Sequence, residues 1–357
     1  MKIKQFKLIS FSSEYWKSHD LSLFLDNSDT KDKISRTMKI MEFLRGKIVS
    51  GEAKTDSAPG LYILKFCTSS KCVISLIAEV DYDEKGIFIP NEEIHPSKLI
   101  AYKRLFDSCR MQINPILTFY DGERPIREIV EPFMQKRPKI EADVNGAKYS
   151  LWEVKEPQEL QILKNSLLPI DRLYIADGHH RFSVFSESST KNTGIMVAIT
   201  DSESIILASC HRIIMQNIAP NWKETIERYC ILEKLDIDPD CVNATIIKLR
   251  NGEVYRAIFK YNIQENASFH EAIENDIIHS SFGIADMANK VFPLPGVLTI
   301  NDSSSIFELY HDSSAIIFVP NIEIYEFLNT VKDGKKLPPT STWFEPKIID
   351  GFAMAKL

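Results

Sequence analysis

The chain has 357 residues, of which 44% are hydrophobic and 26% are charged, and its net charge is -6. This composition is typical of an ordered globular protein and excludes a fibrous or largely disordered chain. The acidic balance argues against nucleic acid as a partner, because a nucleic-acid-binding face needs massed Lys and Arg. The length predicts two packed domains.

The sequence also predicts where the protein works. Lys7 and Ser10 interrupt the apolar stretch that follows the basic start, so no signal-peptide core forms. No run has the apolar length of a membrane span, so we expect a cytoplasmic protein without a membrane partner. The cysteines form no Cys-x-x-Cys pair of the kind that zinc and redox motifs use, so we expect buried reduced thiols. They are Cys67, Cys72, Cys109, Cys210, Cys230 and Cys241.

The first half of the chain alternates helical and strand-like patterns. In chain order they are a helix from Asp32 to Ser50, a turn-rich break from Gly51 to Gly60, a hairpin of Leu61–Phe66 and Cys72–Val80, a helix from Pro96 to Met111, and a strand from Pro115 to Tyr120. The Pro- and Lys-rich stretch from Pro132 to Pro138 is the predicted boundary, which gives domains 1–138 and 139–357.

The second half continues the same α/β rhythm, and we predict a mixed α/β (α+β) fold. Its predicted elements are a helix from Glu156 to Leu167, a strand from Leu173 to Ala176, a helix from His179 to Glu187, strands Gly194–Thr200 and Ser204–Ala208, a helix from Asn221 to about Leu235, a strand near Val254–Tyr261, a helix from Phe269 to Ile278, and a late strand Ala315–Val319 followed by a helix through Val331.

The densest polar motif lies where a buried strand gives way to a helix. It consists of Asp177, Gly178, His179, His180 and Arg181. Backbone N–H groups and the helix dipole at such a junction hold anions, and Gly178 permits close approach. Arg181 can donate a forked pair of hydrogen bonds to phosphate, the histidines add donors, and Asp177 can hold a metal or a hydroxyl. A histidine pair that merely caps a helix is the structural alternative.

Three further clusters could converge on this motif. Glu92 and Glu93 are candidate acid/base groups, with a solvated charged face as the alternative. His211 and Arg212 end an apolar strand, where ligand sites commonly lie, with a surface-facing basic pair as the alternative. Near the C-terminus, Ser341, Thr342 and Lys347 could capture an anion, and a proline-rich tail that packs back is the alternative there.

These stretches together resemble the bacterial and archaeal family catalogued as domain of unknown function 1015. The segment from Tyr174 to Phe182 is similar to its Ala-Asp-Gly-His-His-Arg-aromatic signature. Ser209 to Arg212 resembles its Pro-Thr-His-Arg signature, and Pro338 to Lys347 resembles its terminal signature, with Thr340 in place of a lysine. The family's N-terminal Pro-Pro-Tyr-Asp segment is absent from Met1 to Ile40, which marks a divergent member.

The Asp-Gly-His-His-Arg segment also resembles the phosphate-binding motif of free-serine kinases of the ParB and sulfiredoxin-like superfamily. The resemblance implies a strand–motif–helix core of that superfamily, a nucleotide (ATP or ADP) with Mg²⁺, and a small-molecule substrate. The leading hypothesis is a nucleotide-dependent kinase of amino-acid metabolism that phosphorylates a hydroxyl such as that of serine. In it, Gly178, His179, His180 and Arg181 bind the phosphates, with His211, Arg212, Ser341, Thr342 and Lys347 as further contacts. Asp177, His180, Glu92 and Glu93 are the catalytic candidates, and Asp177 is the metal ligand.

Two other classes of function stay open. A nucleotide-binding regulatory module would bind nucleotide and change partners with slow turnover. A phosphoesterase or other hydrolase could use the histidines as nucleophile and acid. Formation of ADP that depends on an acceptor would separate phosphoryl transfer from hydrolysis.

Overall fold

A computed structural model of the chain describes residues 1–18, 33–68, 71–81, 86–92, 99–100, 102–103, 106–107, 110–144, 146–187, 194–236, 244–263, 269–294, 296, 298–332, 334–337 and 340–356. It divides the chain into two compact units, one formed by Met1–Ile206 with Pro346–Leu357 and the other by Leu207–Glu345. The predicted mixed α/β class is confirmed in both units.

Strands of the first unit pair into one large mixed sheet in the order β6-β11-β8-β12-β5-β4-β10-β9, with β1 beside β5. The nine strands of this sheet are β1 (Ile3–Lys4), β4 (Leu61–Cys67), β5 (Cys72–Asp81), β6 (Phe88–Ile89), β8 (Ile116–Tyr120), β9 (Ile140–Val144), β10 (Ala147–Val154), β11 (Leu173–Asp177) and β12 (Gly194–Asp201). Outside it, β2 (Ile9–Ser10) pairs with β3 (Lys54–Thr55), and β7 is the short strand Met111–Gln112. The helices are α1 (Ser13–Ser18), α2 (Lys33–Val49), α3 (Ile126–Val130), which continues as a 3-10 turn (Glu131–Gln135), α4 (Pro157–Ser166) and α5 (His179–Glu187).

The core of the first unit forms between this sheet and its helices. Every residue of β12 is buried, as expected for an apolar strand that lies in the middle of a covered sheet. Ile126 of α3, Leu163 of α4 and Phe182 of α5 pack into the same apolar cluster as the sheet residues. Helix α4 begins at Pro157, where the missing backbone N–H costs nothing.

The predicted boundary at Pro138 differs from the division that the structure shows. Strands β4 and β5, which precede it, pair directly with β10 and β12, which follow it. The composition shift near Pro138 marks a loop and a 3-10 turn inside one sheet-based unit, because hydrogen bonding between distant strands leaves no local signal in the sequence.

The hairpin of β4 and β5 corrects the cysteine prediction. Cys67 and Cys72 face each other across the strand register and form a disulfide bond, so the expectation of reduced thiols is wrong for this pair. The sequence pattern did not show it, because the direct register of β4 against β5 brings the two together without any Cys-x-x-Cys spacing. Cys210 and Cys230 are buried free thiols, and Cys109 and Cys241 lie outside the described residues.

The second unit is built on a sheet with the order β15-β17-β16-β19-β14-β18, beside a two-stranded pair of β13 and β20. Its strands are β13 (Ile206–Ser209, beginning one residue before the unit), β14 (His211–Ile214), β15 (Cys230–Leu235), β16 (Thr245–Leu249), β17 (Val254–Phe259), β18 (Val291–Leu294), β19 (Ala315–Phe318) and β20 (Thr342–Glu345). Its helices are α6 (Trp222–Ile226), α7 (Phe269–Ala272), which continues as a π-helix (Ile273–Ser281), α8 (Met287–Lys290), a 3-10 turn (Ile300–Asp302), α9 (Ser303–Leu309) and α10 (Ile324–Lys332).

One predicted helix of the second unit is wrong in its length. The helix expected from Asn221 to about Leu235 ends at Ile226, and Cys230–Leu235 is strand β15. Trp222 and Ile226 are buried at helical spacing, which explains the prediction. From Cys230 onward the chain instead pairs with β17 in an antiparallel ladder, and such long-range pairing overrides local periodicity.

The C-terminal segment returns to the first unit. Strand β21 (Ala355–Lys356) pairs with β7, and the backbone N–H of Gly351 donates to the carbonyl of Ile113 at 2.7 Å. Phe352 is fully buried and its ring lies 5.5 Å from that of Trp16. In the part of the chain that the structure describes, no helix is both long enough and apolar enough to cross a membrane. The cytoplasmic location stays a prediction.

Candidate functional site

The sheet topology places several polar residues at one edge of the first unit. Strand β11 pairs in parallel with β6 and antiparallel with β8. The carboxyl ends of β6 and β11 therefore meet the amino end of β8. Asp177 is the last residue of β11, Asn91 follows β6 by two residues, and Asn114 precedes β8 by two residues. We call this edge, together with the first turn of α5, the motif edge.

Gly178 makes the sharp turn from β11 into α5. Its φ is 100°, in the region that favours glycine because it lacks a Cβ. A Cβ built at this position would lie 2.9 Å from a guanidinium nitrogen of Arg181, so the arginine packs flat against the glycine. The predicted strand–motif–helix arrangement is present, and α5 begins immediately after the turn, with Phe182 N–H donating to the Gly178 carbonyl at 2.8 Å.

Arg181 is held by the protein itself. Its Nη1 donates to the carbonyl oxygens of Asn114 (2.7 Å) and Pro115 (3.3 Å), and its Nη2 donates to Asp177 Oδ2 at 2.9 Å. The side chain is 20% exposed. These contacts orient one face of the guanidinium against the loop before β8 while a fraction of the group still reaches solvent.

Asp177 is paired with two cations. Besides Arg181, the Nζ of Lys347 lies 3.0 Å from Asp177 Oδ1. The C-terminal segment therefore reaches the motif, although 170 positions separate the two residues. Asn114 fixes this segment, because its side-chain amide donates to the Ile348 carbonyl at 2.8 Å and to Asp350 Oδ1 at 3.1 Å. We call Asp177, Arg181 and Lys347 the charge triad.

His179 points into the protein. It is buried, and its Nε2 hydrogen-bonds the side-chain oxygen of the fully buried Asn91. Burial lowers the pKa of His179 below its usual value, while the charges of Glu92 and Asp177 act in the opposite direction. The ring is therefore neutral at pH 7 and Nε2 is the donor to Asn91, which is how a neutral imidazole positions a neighbouring amide. Its predicted role as a phosphate ligand stays a prediction.

His180 and Glu92 lie at the same edge. The His180 ring stacks on Tyr102, with centroids 5.8 Å apart. Glu92 is half-buried, and its charge acts on His179. Glu93, the other carboxylate predicted for acid/base work, lies outside the described residues. The catalytic roles of His180 and Glu92 stay predictions.

The other predicted ligands belong to the second unit and are engaged inside it. Arg212 is buried and donates to Glu274 Oε1 (2.9 Å) and to the carbonyls of Cys210 and Thr340. His211 accepts a hydrogen bond from the Val319 N–H at 3.0 Å, and burial lowers its pKa to about 4. These contacts are those of a structural pair that joins β14 to the segment before β20, and they do not support the predicted binding role.

Ser341 and Thr342 are also buried in the second unit. The Ser341 carbonyl accepts a hydrogen bond from the Cys210 N–H at 3.0 Å, and Thr342 begins β20. Their backbone contacts join the two signature segments of this unit. A role of their hydroxyls in anion capture stays a prediction.

Asn91 and Asn114 are the residues that sequence reasoning left out of the site. Both are buried, and both contact motif residues. A weak signal was present for Asn114, because Pro115 restricts it to an extended backbone and so fixes the direction in which its carbonyl points. Nothing in the sequence indicated that this carbonyl would accept from a residue 67 positions away.

The charge triad lies on a partly open surface. The side chains of Asp177 and Lys347 are 28% and 30% exposed. A cavity of about 330 Å³ in the same unit is lined by other residues. Arg181 and Lys347 pair with one carboxylate beside the amino end of a nine-residue helix, where backbone N–H groups lack partners within the helix. This arrangement suits a small, strongly charged anion such as phosphate.

Among the described residues, His, Cys, Asp and Glu side chains form no group of three or more that could hold a metal ion. Asp177 has each carboxylate oxygen paired with a cation, so a metal at this residue would compete with Arg181 and Lys347. Mg²⁺ characteristically uses one or two carboxylates together with substrate phosphates. The donor set therefore fits an ion that arrives with a nucleotide better than one held by the protein alone.

The fold and the motif edge define a two-unit α/β protein with a polar strand–turn–helix site in its first unit. The chain belongs to the family described as "Protein of unknown function (DUF1015)", whose model matches residues 19–277. The matched range includes the Asp-Gly-His-His-Arg motif and ends before Lys347. No curated protein matches the sequence.

Several solved structures share a distant likeness. One is SbnI with C-terminal truncation from Staphylococcus aureus, at 12% identity and a TM-score of 0.42, covering 77% of this chain and 85% of that chain. A second is a mutant of free serine kinase in complex with ADP, at 12% identity and a TM-score of 0.42, covering 80% of this chain and 95% of that chain. A third is a conserved hypothetical protein from Pyrococcus furiosus, at 13% identity and a TM-score of 0.42, covering 77% of this chain and 93% of that chain.

Proposed function

We propose that the motif edge binds the phosphate groups of a nucleotide and transfers a phosphoryl group to the hydroxyl of a small molecule. The observation that carries the proposal is the charge triad, two partly exposed cations beside the amino end of α5, at a turn where only glycine fits. Phosphoryl transfer depends mainly on positioning and on neutralising charge, and this arrangement supplies both.

In the proposed complex, the Gly178 turn and the first N–H groups of α5 contact the phosphates. Lys347 and Arg181 neutralise the negative charge that spreads over the transferred group. His180 is half-buried at the start of the helix, where its ring can donate to a phosphate oxygen. Mg²⁺ bound with the nucleotide would be held by Asp177 and the phosphates and would neutralise further charge.

Transfer also needs a base for the attacking hydroxyl. The hydroxyl oxygen forms a bond to the terminal phosphorus of ATP or ADP, the bond from that phosphorus to the bridging oxygen breaks, and the hydroxyl proton passes to a carboxylate. Glu92 is the described candidate, because its charge acts on His179 and so reaches the motif edge. A free amino acid such as serine is the acceptor class that the motif's resemblance to free-serine kinases suggests.

The test combines calorimetry with product analysis. Full-length protein is titrated with ATP and with ADP, and then incubated with each nucleotide, Mg²⁺ and a panel of hydroxyl amino acids, with phosphorylated product detected by mass spectrometry. We expect nucleotide binding at micromolar concentrations and loss of the terminal phosphate only when an acceptor is present. Glu92→Gln should keep the binding and lose the transfer, since it removes the base without removing a phosphate contact.

Two outcomes would replace the proposal. Release of inorganic phosphate without a phosphorylated acceptor would indicate a hydrolase. Tight nucleotide binding with no turnover on any acceptor would indicate a regulatory nucleotide-binding module. Absence of nucleotide binding would remove the proposed function altogether.

A further inference from the structure

The charge triad raises a question that the proposed function leaves open, because the cations that should hold phosphate are already paired. Asp177 Oδ2 accepts from Arg181 at 2.9 Å and Asp177 Oδ1 accepts from Lys347 at 3.0 Å. One carboxylate therefore bridges two cations that come from distant parts of the chain. In size and charge distribution, a carboxylate bridging two cations resembles one edge of a bound phosphate.

We propose that Asp177 is a built-in competitor, whose carboxylate occupies Arg181 and Lys347 until a phosphate group of the ligand displaces it. The inference rests on the proposed function, because it takes the ligand of the motif edge to be a phosphate. It adds that Asp177 releases Arg181 and Lys347 in the same step in which phosphate binds to them.

The partial exposure of the three side chains lowers the free energy needed to replace the Asp177 carboxylate with phosphate. They are between 20% and 30% exposed, so solvent already screens the ion pairs. Breaking ion pairs that water reaches in this way costs less than breaking fully buried ones. A terminal phosphate carries more negative charge than one carboxylate and offers three oxygens, so it pairs with both cations more strongly.

The surroundings keep the two cations in place after Asp177 leaves. Arg181 retains the carbonyls of Asn114 and Pro115 as acceptors. The backbone next to Lys347 is held by the bond from the Asn114 amide to the Ile348 carbonyl. The site is therefore prepared for an anion and does not depend on Asp177 for its shape.

Release gives Asp177 a second role. Once phosphate has taken the two cations, the carboxylate of Asp177 no longer pairs with them and lies two residues before the helix that holds the ligand. It can then accept a metal that arrives with the nucleotide or a proton from the acceptor. Asp177 thus serves the reaction only when a phosphate is bound, which limits its reactivity toward other molecules.

Calorimetry on charge-matched variants tests the competitor. ADP is titrated without divalent metal into the wild-type protein, Asp177→Asn and Lys347→Met. Asp81→Asn and Lys4→Met are the controls, because these residues form an exposed ion pair elsewhere in the same unit and change the net charge by the same amount. We expect Asp177→Asn to tighten ADP binding about two- to fivefold, the range that a partly exposed ion pair is worth, while the controls stay near wild type.

The pairing partner gives a second readout. Lys347→Met should weaken ADP binding about tenfold, since one phosphate contact is lost. Asp177→Asn should increase ADP affinity less in the Lys347→Met background than in the wild type, because the carboxylate competes with phosphate partly for Lys347. Equal effects of Asp177→Asn in both backgrounds would contradict the inference.

The outcomes separate this inference from the proposed function. Weaker or unchanged ADP binding by Asp177→Asn, with normal binding by the wild type, overturns the competitor and leaves the proposed function standing. If ADP binds to neither protein, the same titration is made with inorganic pyrophosphate. Tighter pyrophosphate binding by Asp177→Asn then supports the competitor at a site that does not take nucleotides, and no binding by either protein overturns both.

Discussion

At the scale of single residues, Gly178 is subject to two constraints that disfavour any side chain. Its φ of 100° is strained for any residue with a Cβ, and that Cβ would lie 2.9 Å from the Arg181 guanidinium. We expect Gly178→Ala to lower the free energy of unfolding by about 2 kcal/mol, because both the backbone and Arg181 must shift. Urea denaturation measures this loss.

Gly146 provides the matched control for this substitution. Its φ of 77° is also in the left-handed region, but a Cβ there meets nothing within 4 Å. Gly146→Ala should therefore lose about 1 kcal/mol, the backbone cost alone. Equal losses for the two variants would show that the packing of Arg181 on Gly178 contributes nothing.

Arg181 shows how much of a residue's role can be predicted from its neighbours in the sequence. The strand–glycine–helix pattern predicted that Arg181 lies beside the turn at Gly178, and the structure places it there. The pattern could not show that Asn114 and Pro115 accept hydrogen bonds from it, since these residues are 67 and 66 positions away. The sequence predicted which functional groups lie at the turn, but it did not predict the hydrogen-bond acceptors that the segment before β8 supplies. The same holds for Lys347, whose pairing with Asp177 depends on the return of the C-terminal segment.

At the scale of elements, predictions succeeded where periodicity and end signals agreed. The hairpin, β11, α5 and the helix that begins at Pro157 all lie where they were expected. The failure at β15 has a physical cause, because the helical spacing of Trp222 and Ile226 ends with α6, and the residues from Cys230 onward pair with the distant strand β17. His211 and Arg212 show a related limit. The sequence places them at a strand end, but only the packing of the second unit shows them buried.

Buried histidines of the second unit predict how its stability depends on pH. Burial lowers the pKa of His270 from 6.5 to about 3 and that of His211 to about 4. As the pH falls below 6.5, the unfolded chain takes up protons that the folded chain does not, so stability is lost on acidification. We expect His270→Phe to reduce by about 2 kcal/mol the unfolding free energy that is lost between pH 6.5 and 4.5.

Urea unfolding at pH 7.0 and 4.5 measures this difference, with hydrogen–deuterium exchange of the amides of β14, β16 and β19 reporting on the second unit. His279→Phe is the control, because His279 is exposed in the same unit. At pH 7.0 the His270→Phe variant should lose little stability, because the larger apolar surface that the phenyl ring buries offsets the lost contact of the imidazole with the Cys210 backbone. A variant with the same acid loss as the wild type would contradict the assignment.

At the scale of the whole molecule, the path of the chain makes the first unit depend on both of its ends. The second unit occupies Leu207–Glu345, and the chain then returns to complete the first. The returning segment buries Ile348, Phe352 and Met354, and Phe352 contacts the rings of Trp16 and Tyr149 at 5.5 Å and 5.1 Å. Sequence composition placed the boundary elsewhere, because nothing local shows that the last residues rejoin the first.

Because of this path, a chain that ends at Glu345 should lose the stability of the first unit and keep that of the second. Removing the returning segment deletes several fully buried side chains, and one Phe352→Ala change alone should cost about 3–5 kcal/mol. The loss of unfolding free energy caused by the full truncation should therefore approach the total stability of a domain. In hydrogen–deuterium exchange, amides of β4, β8 and β10 should lose protection, while those of β14, β16 and β19 should keep it. Phe352→Ala should show the same pattern to a smaller degree. Equal loss of protection in both units would mean that they unfold together, and the second unit would then not be independent of the returning segment.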